Sequence, residues 1–285
     1  MVSATFSHGG SSVFPGYLLA LREGLEAALI IGMVLSALHK TGRRALASAI
    51  WWGVGSAALV GVGVAVLLTR WGLTLAGHAG AAFEGATMFA AAGILTWMLF
   101  WMKGHAADLQ QTVAQRVAAA AGQGNARALY GLAFFAVLRE GLELALFLSA
   151  AAFTSTAAQT AFGALLGLAT AAGLGWALFT ATLRLNLRRF FRVTTVLLFL
   201  FAAGLVANGV HEWNEIGWIP AGIEHLWNTA TLLREASPLG SVLTALFGYR
   251  ASPSLSAVLA YVGYIAAAAT GLRFTHRPTD RPDAA

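Results

Sequence analysis

The apolar residues of this chain lie in long unbroken runs, unlike the stripes of a surface helix or the alternation of a half-buried strand. A hydrocarbon core about 30 Å thick requires helices of about 20 apolar residues. Because that core contains no water, backbone polar groups must bond within their own segment, which favours helices. We therefore predict an all-α polytopic membrane protein, a single domain over 1–285, with seven transmembrane helices at about 15–38, 47–69, 81–102, 129–152, 161–182, 191–210 and 254–272.

The composition agrees with a membrane protein. Hydrophobic residues make up 58% of the chain and charged residues only 11%, whereas about a quarter of a soluble domain is charged. Cysteine is absent, which excludes disulfides, thiolate metal sites and thiol redox chemistry. The formal charge of +6 lies in short connections between apolar runs, where it orients a membrane protein and does not indicate nucleic-acid binding.

The basic residues are distributed unevenly between the two sides that seven spans define. The odd-to-even connections and the C-terminal tail hold Lys40, Arg43, Arg44, Lys103, Arg116, Arg127, Arg184, Arg188, Arg189, Arg192, Arg273, Arg277 and Arg281, whereas the opposite side holds only Arg70, Arg234 and Arg250. Since positive loops stay in the cytoplasm, we predict the N-terminus outside and the C-terminus inside. An Ala-, Gly- and Leu-rich chain that prefers Arg to Lys suggests a GC-rich bacterium, hence the bacterial cytoplasmic (inner) membrane.

One six-residue motif occurs twice. Residues 21–26 and 138–143 both read LREGLE, 117 positions apart. If the first three spans (repeat 1, about 15–102) match the next three (repeat 2, about 129–210), the second copy must be inverted, because three is odd. Inverted repeats build many secondary transporters, with the substrate site near the membrane midplane. The external segment 211–253 and a peripheral seventh helix, 254–272, would lie outside the repeat.

Each copy places one arginine and two glutamates inside a predicted span: Arg22, Glu23 and Glu26 in the first, and Arg139, Glu140 and Glu143 in the second. An unpaired charge at a helix centre costs roughly 2.5–3.5 kcal/mol, so six would cost on the order of 15–20 kcal/mol. They must therefore face one another or a wet cavity. Positions four apart share a helix face, so each arginine can reach the second glutamate of its copy. We also predict that Gly24 and Gly141 let the first and fourth helices approach closely.

The chemistry of this cluster favours a metal cation. Four carboxylates against two guanidinium groups give a formal charge of −2 when all are ionised, and oxygen ligands without Cys or His suit hard cations. Ferric iron is a hard cation and ferrous iron a borderline one, so both are compatible with such a site. The alternative is an Arg–Glu network that only locks two helices together.

Further acidic residues flank the predicted external side. Glu84 opens the third span, and His211, Glu212 and Glu215 follow the sixth. Together they could form an external entrance that concentrates cations above the site, although solvated loop charges would give the same pattern. In the connections, 221–235 and 239–248 could form short interfacial helices, and the Ala-rich stretch 103–128 could extend the third helix or lie on the surface.

The doubled Arg-Glu-Gly-Leu-Glu, together with Phe83-Glu84-Gly85 and Leu95-Thr96-Trp97-Met98, resembles the high-affinity iron permease family, which includes oxidase-dependent iron transporters and bacterial iron uptake permeases. The resemblance implies import of Fe³⁺ or Fe²⁺ with Glu23, Glu26, Glu140 and Glu143 as metal ligands, Arg22 and Arg139 as their charge partners, and Glu84 at the family's third-helix position. It also implies partnership with a periplasmic oxidase, a cupredoxin-like protein or a haem peroxidase.

Two other functions stay open on the sequence. One is a permease for a different divalent cation, such as lead or manganese. The other is a membrane-embedded metalloenzyme, because His211-Glu212-x-x-Glu215 partly resembles the zinc-protease motif His-Glu-x-x-His but lacks its second His. We expect a transport protein with iron as its substrate, no resident cofactor and no enzymatic activity.

Overall fold

The computed structural model describes residues 13–40, 42–179, 186–235 and 237–274. Over these residues the chain forms α-helices and one 3₁₀ turn, Arg44–Leu46, without any strand. The helices are α1 (Phe14–Lys40), α2 (Ala47–Thr74), α3 (His78–Gly122), α4 (Ala126–Thr154), α5 (Ala157–Phe179), α6 (Leu187–Glu215), α7 (Pro238–Phe247) and α8 (Leu255–Phe274). The predicted all-α fold is confirmed for this part of the chain. The basic loop residues Arg184, Arg277 and Arg281 lie outside the described residues.

Helices α1 to α6 and α8 lie over the predicted spans, with the largest difference at the C-terminal end of α3. This helix has 45 residues and, at 1.5 Å per residue, measures about 67 Å. That length is more than twice the thickness of a hydrocarbon core. The stretch after 102 therefore continues the third helix as far as Gly122, which was one of the two alternatives left open by the sequence.

Among the described residues, four helical segments are long and apolar enough to cross a membrane: Ala47–Gly72, His78–Trp101, Ala157–Phe179 and Arg189–Glu215. A shorter apolar helix, Leu255–Gly271, accompanies them. The two helices that carry the repeated motif, α1 and α4, are not in this group, and each holds three charged residues in its interior. The chain is thus a multi-pass membrane protein, and the count of seven spans stays a prediction.

The long helices pack in pairs, α1 against α5, α2 against α4, and α3 against α6, and α8 also packs on α6. Small residues permit this pairing. A Cβ atom at Gly167 of α5 would lie 2.5 Å from the Tyr17 carbonyl oxygen and 2.8 Å from the Leu21 nitrogen of α1. Because both are backbone atoms, neither could move aside without displacing α1.

The predicted role of Gly24 and Gly141 is wrong. Gly24 faces Ala171 and Leu168 of α5, and Gly141 faces Gly61 of α2. The glycines of the motif therefore lie where α1 packs on α5 and where α4 packs on α2. The faces of α1 and α4 that meet one another carry the longer side chains.

The main apolar core lies where α1, α3, α4 and α6 meet, and it includes Leu19 of α1 and Phe147 of α4. Leu19 precedes Arg22 by one helical turn, and Phe147 follows Glu143 by one turn. Residues before the motif in α1 and after it in α4 thus share one core. The charged residues of both copies lie next to this core.

The segment between α6 and α8 folds back on itself and is called here the cap (221–235, α7 and 248–254). Its first part pairs antiparallel with its last, through Leu226 N–H to Pro253 O (3.0 Å) and Thr229 N–H to Ala251 O (2.9 Å). The predicted helix over 221–235 is therefore wrong, because these backbone groups bond across the cap and not along a helix. The predicted helix over 239–248 is confirmed as α7.

Replacing Gly167 by Ala should destabilise the protein, because the new Cβ would collide with backbone atoms of α1. We expect a loss of about 1–3 kcal/mol, as for other overpacked cores, measured by thermal unfolding of the purified protein in detergent. Gly173→Ala is the matched control on the same helix, since no described atom lies within 4 Å of a Cβ there. Equal stability of the two variants would contradict the packing described.

Candidate metal site

Helix α1 buries all three charged residues of the first motif. Arg22 and Glu23 each leave 1% of their side chains exposed, and Glu26 leaves 16%. The Arg22 guanidinium binds both glutamates, with Nη1 2.8 Å from Glu23 Oε1 and Nη2 3.1 Å from Glu26 Oε1. The predicted reach of Arg22 to Glu26 across one helical turn is confirmed. One guanidinium group is thus shared by two carboxylates in the protein interior.

The second motif is arranged differently. Arg139 Nε lies 3.0 Å from Glu143 Oε1, which confirms the predicted pair, but 37% of the Arg139 side chain is exposed. Its Cζ lies 4.9 Å from the centroid of the Trp101 ring on α3, a distance typical of a cation–π contact. The two copies therefore have the same sequence but unequal burial.

Three carboxylates converge between the two helices and form what we call the central cluster: Glu23, Glu26 and Glu140. One oxygen from each lies within 4.8 Å of the others. Oxygen ligands lie about 2.0–2.6 Å from a bound divalent cation, so two of them on opposite sides of one ion are about 4–5 Å apart. A single ion could therefore contact all three. The sequence placed Glu143 here as well, but in the structure Glu143 is the ion-pair partner of Arg139.

Several oxygens at this place have unused bonding capacity. Among the described residues, Glu23 Oε2, Glu140 Oε2 and Glu143 Oε2 are buried and accept no hydrogen bond. A buried polar atom without a partner costs about 1–3 kcal/mol, and more when it is charged. A bound cation would supply the missing partner. The donor set of carboxylate oxygens, without Cys or His in the group, suits hard or borderline cations.

Met98 of α3 is a contact that the charge pattern alone does not reveal. It is fully buried, and the Arg22 Nη1 group points to its Sδ at 3.7 Å. The thioether thus closes the α3 side of the Arg22 guanidinium. The signal in the sequence was present only in the family resemblance, which included Leu95-Thr96-Trp97-Met98.

The predicted external residues form a separate group, called here the outer cluster: Glu84, His211, Glu212 and Glu215. They lie at the N-terminal end of α3 and the C-terminal end of α6. His211 Nε2 is 3.2 Å from Glu215 Oε1, and Glu84 and Glu212 are each close enough to Glu215 to repel it electrostatically. Glu84 precedes Met98 by 14 positions on α3, about 21 Å of helix, so Glu84 does not share the central cluster.

Arg250, in the cap, completes the outer cluster and was counted in the sequence only as a loop charge. Its Nε donates a hydrogen bond to Asn208 Oδ1 (3.1 Å), and its Nη2 lies 4.0 Å from Glu212 Oε1. Burial lowers the pKa of the Arg250 guanidinium, while Glu212, Glu235 and Glu215 act to raise it. Asn208 is itself buried. The carboxylate of Glu212 on α6 therefore has a positively charged side chain of the protein next to it.

A comparison with known protein families decides the class of this protein. The model of the Iron permease FTR1 family matches residues 13–274, from the first described residue to the last. The chain belongs to this family. Within it, the chain is similar to proteins named "Ferrous iron permease EfeU". It is 36% identical over 255 residues to that of Escherichia coli O157:H7, an alignment that covers 89% of this chain and 92% of the relative. It is 33% identical over 255 residues to that of Yersinia pestis, with 89% of this chain and 90% of the relative covered. No solved structure matches.

Membership of this family confirms two expectations from the sequence. The family resemblance drawn from the doubled motif is correct. The family and these relatives are named permeases, so the chain is a transport protein and not an enzyme. The match also contains both motif-bearing helices, α1 and α4, and the outer cluster, within residues 13–274.

Proposed function

We propose that this protein imports iron across a bacterial cytoplasmic membrane by way of the central cluster. The observation that carries the proposal is the convergence of Glu23, Glu26 and Glu140 within 4.8 Å, beside buried carboxylate oxygens that lack hydrogen-bond partners among the described residues. Such a group attracts a cation and tolerates burial when one is bound. The similar proteins are named ferrous iron permeases, and on that ground we propose that this protein carries ferrous iron.

The pairing of the helices supports an inverted repeat. Gly163 of α5 lies against Val13 O, just before α1, and Tyr17 N of α1, and Gly53 of α2 lies against Tyr130 O and Phe134 N of α4. The α1 and α4 partners are 117 positions apart, which is the spacing of the two motifs. Equal contacts at equal spacing are expected when two halves share one packing pattern in opposite orientations.

The unequal burial of the two motifs supports a direction for the ion path. On the α1 side, Arg22 is sealed by Glu23, Glu26 and Met98. On the α4 side, Arg139 stays partly exposed beside Trp101. We infer that an ion comes from the outer cluster, about 21 Å away along α3, and leaves the central cluster past Arg139. With the N-terminus outside, this path leads into the cell.

A helix-locking network is the competing explanation of the same charges. A lock would be most stable with every carboxylate oxygen bonded, and the oxygens without partners at Glu23, Glu140 and Glu143 do not favour it. A metalloenzyme at His211, Glu212 and Glu215 is not proposed, because the family consists of permeases. An oxidase, cupredoxin-like or haem peroxidase partner remains an expectation of the family resemblance.

Cells that produce this protein should accumulate radioactive iron faster than cells without it. We expect faster uptake with ferrous than with ferric iron, and only weak competition from manganese or lead at equal concentration, because each ion differs in how well three carboxylates match its size and hydration. Initial rates of uptake measure both effects. Transport of manganese or lead in preference to iron would replace the proposed substrate, and no uptake of any of these ions would defeat the proposal.

A further inference from the structure

Arg250 reaches the outer cluster from a different element than its acidic residues. It lies between α7 and α8, and its side chain points toward α6. Its firm contact is the 3.1 Å hydrogen bond from Nε to Asn208 Oδ1, whereas Nη2 is 4.0 Å from Glu212 Oε1. Asn208 precedes Glu212 by one helical turn. The guanidinium is thus anchored by a neutral group and only loosely paired with the carboxylate.

The backbone on both sides of Arg250 is fixed by the cap. Ala251 N–H donates to Glu235 Oε1 at 2.6 Å, and Ala251 O accepts from Thr229 N–H at 2.9 Å. The Tyr249 hydroxyl lies 2.7 Å from Thr229 Oγ1 and donates to Leu233 O at 3.0 Å. The backbone of Arg250 is therefore held in place by the cap, and only its side chain is left to move toward or away from Glu212.

The charge of Arg250 is permanent, because a guanidinium does not lose its proton in proteins. With it, the three carboxylates of the outer cluster, Glu84, Glu212 and Glu215, have a formal charge of −2, and without it −3. The difference matters because Arg250 and Glu212 leave only 29% and 17% of their side chains exposed, so their charges are screened less than in water. A metal cation that arrives at Glu212 is therefore repelled by the guanidinium of Arg250.

We propose that Arg250 is a positioning residue for transport: it acts as the counter-cation of Glu212 until a metal ion takes its place, and so limits how tightly the incoming ion is held. The inference rests on the proposed function, in which ions enter through the outer cluster. An ion that displaces a loosely paired guanidinium gains less free energy than one that binds a bare acidic group. The ion can then move on to the central cluster, and Arg250 returns to Glu212.

Arg250→Gln in the full chain tests this inference through the kinetics of ferrous iron uptake by cells. Without the guanidinium, the ion is held more tightly at the entrance, so we expect KM to fall about two- to fivefold, the range for a partly exposed ion pair. Vmax should fall as well, because release toward the central cluster becomes slower. An unchanged or higher KM would overturn the proposal.

Two further variants separate charge from structure. Arg234→Gln removes an exposed arginine of the same segment and should leave KM unchanged, which controls for general surface charge. Asn208→Ala keeps every charge but removes the acceptor that anchors Arg250 Nε, so the guanidinium can pair more closely with Glu212 and KM should rise. If Arg250→Gln does not reach the membrane, Asn208→Ala decides, and an unchanged KM there overturns the inference. The proposed function itself is tested separately, by uptake in the wild type.

Discussion

Replacing Glu23 by Gln is expected to reduce the initial rate of iron uptake at least about tenfold while the protein remains in the membrane. Glutamine has the same shape but no negative charge, so the central cluster loses a third of its ligand charge and keeps its packing. Changes even to groups outside the ligand shell alter metal affinity by about 10–100-fold. Glu140→Gln should have a similar effect, because Glu140 is the carboxylate that α4 contributes to the central cluster.

A comparison within the repeat makes this prediction sharper. Glu26 and Glu143 occupy the same motif position, 117 residues apart, and a symmetric site would respond equally to loss of either. In the structure Glu26 belongs to the central cluster, whereas Glu143 pairs with the half-exposed Arg139. We therefore expect Glu26→Gln to reduce uptake more than Glu143→Gln.

The amount of each variant in the membrane, measured by immunoblot, separates lost transport from lost protein. Normal uptake by both Glu23→Gln and Glu140→Gln, at normal protein levels, would show that the central cluster does not carry the ion. Equal losses for Glu26→Gln and Glu143→Gln would instead retain the site and contradict its asymmetry.

Much of the helical framework was predictable because the membrane leaves the chain few choices. Long apolar runs must form helices, so α1 to α6 and α8 were located within a few residues, except at the C-terminal end of α3. The ion pairs of Arg22 and Arg139 were predictable as well, since both are local contacts across one turn of a helix. Each of these inferences needs only neighbouring residues.

The features that the sequence did not reveal depend on which faces of separate helices meet. Gly24 and Gly141 could have lain between α1 and α4, and only the assembled fold shows that they face α5 and α2. The same holds for Glu143: it pairs with the arginine of its own motif as Glu26 does, but only Glu26 belongs to the central cluster. Arg250 lies 42 positions from Asn208, and no periodic pattern connects the two.

The C-terminal half of α3 is a further feature that the sequence left open. Its Ala-rich sequence after 102 favours a helix, but whether it continues α3 or lies separately on the surface depends on the absence of a break at the junction. In the structure the helix is continuous to Gly122. Alanine has the highest helix propensity, and although Gly104 stands at the junction, α3 contains no proline that would interrupt it.

Arg22→Met is expected to destabilise the protein by about 3–5 kcal/mol, the cost of removing one partner from a buried ion pair. Methionine preserves much of the side-chain length but leaves Glu23 and Glu26 facing each other without their cation. The matched variant Arg139→Met should cost no more than about 1 kcal/mol, because Arg139 is partly exposed and such pairs contribute little. Thermal unfolding of the purified proteins in metal-free detergent solution, followed by tryptophan fluorescence, measures both.

A second substitution shows whether the loss comes from uncompensated charge. Adding Glu23→Gln to Arg22→Met removes a carboxylate that the first change left unpaired, so the double variant should recover part of the lost stability. Added iron should also stabilise Arg22→Met more than the wild type, because a bound cation substitutes for the missing guanidinium. Equal destabilisation by Arg22→Met and Arg139→Met, without recovery in the double variant, would mean that Arg22 acts through packing against Met98 and not as the internal cation of the central cluster.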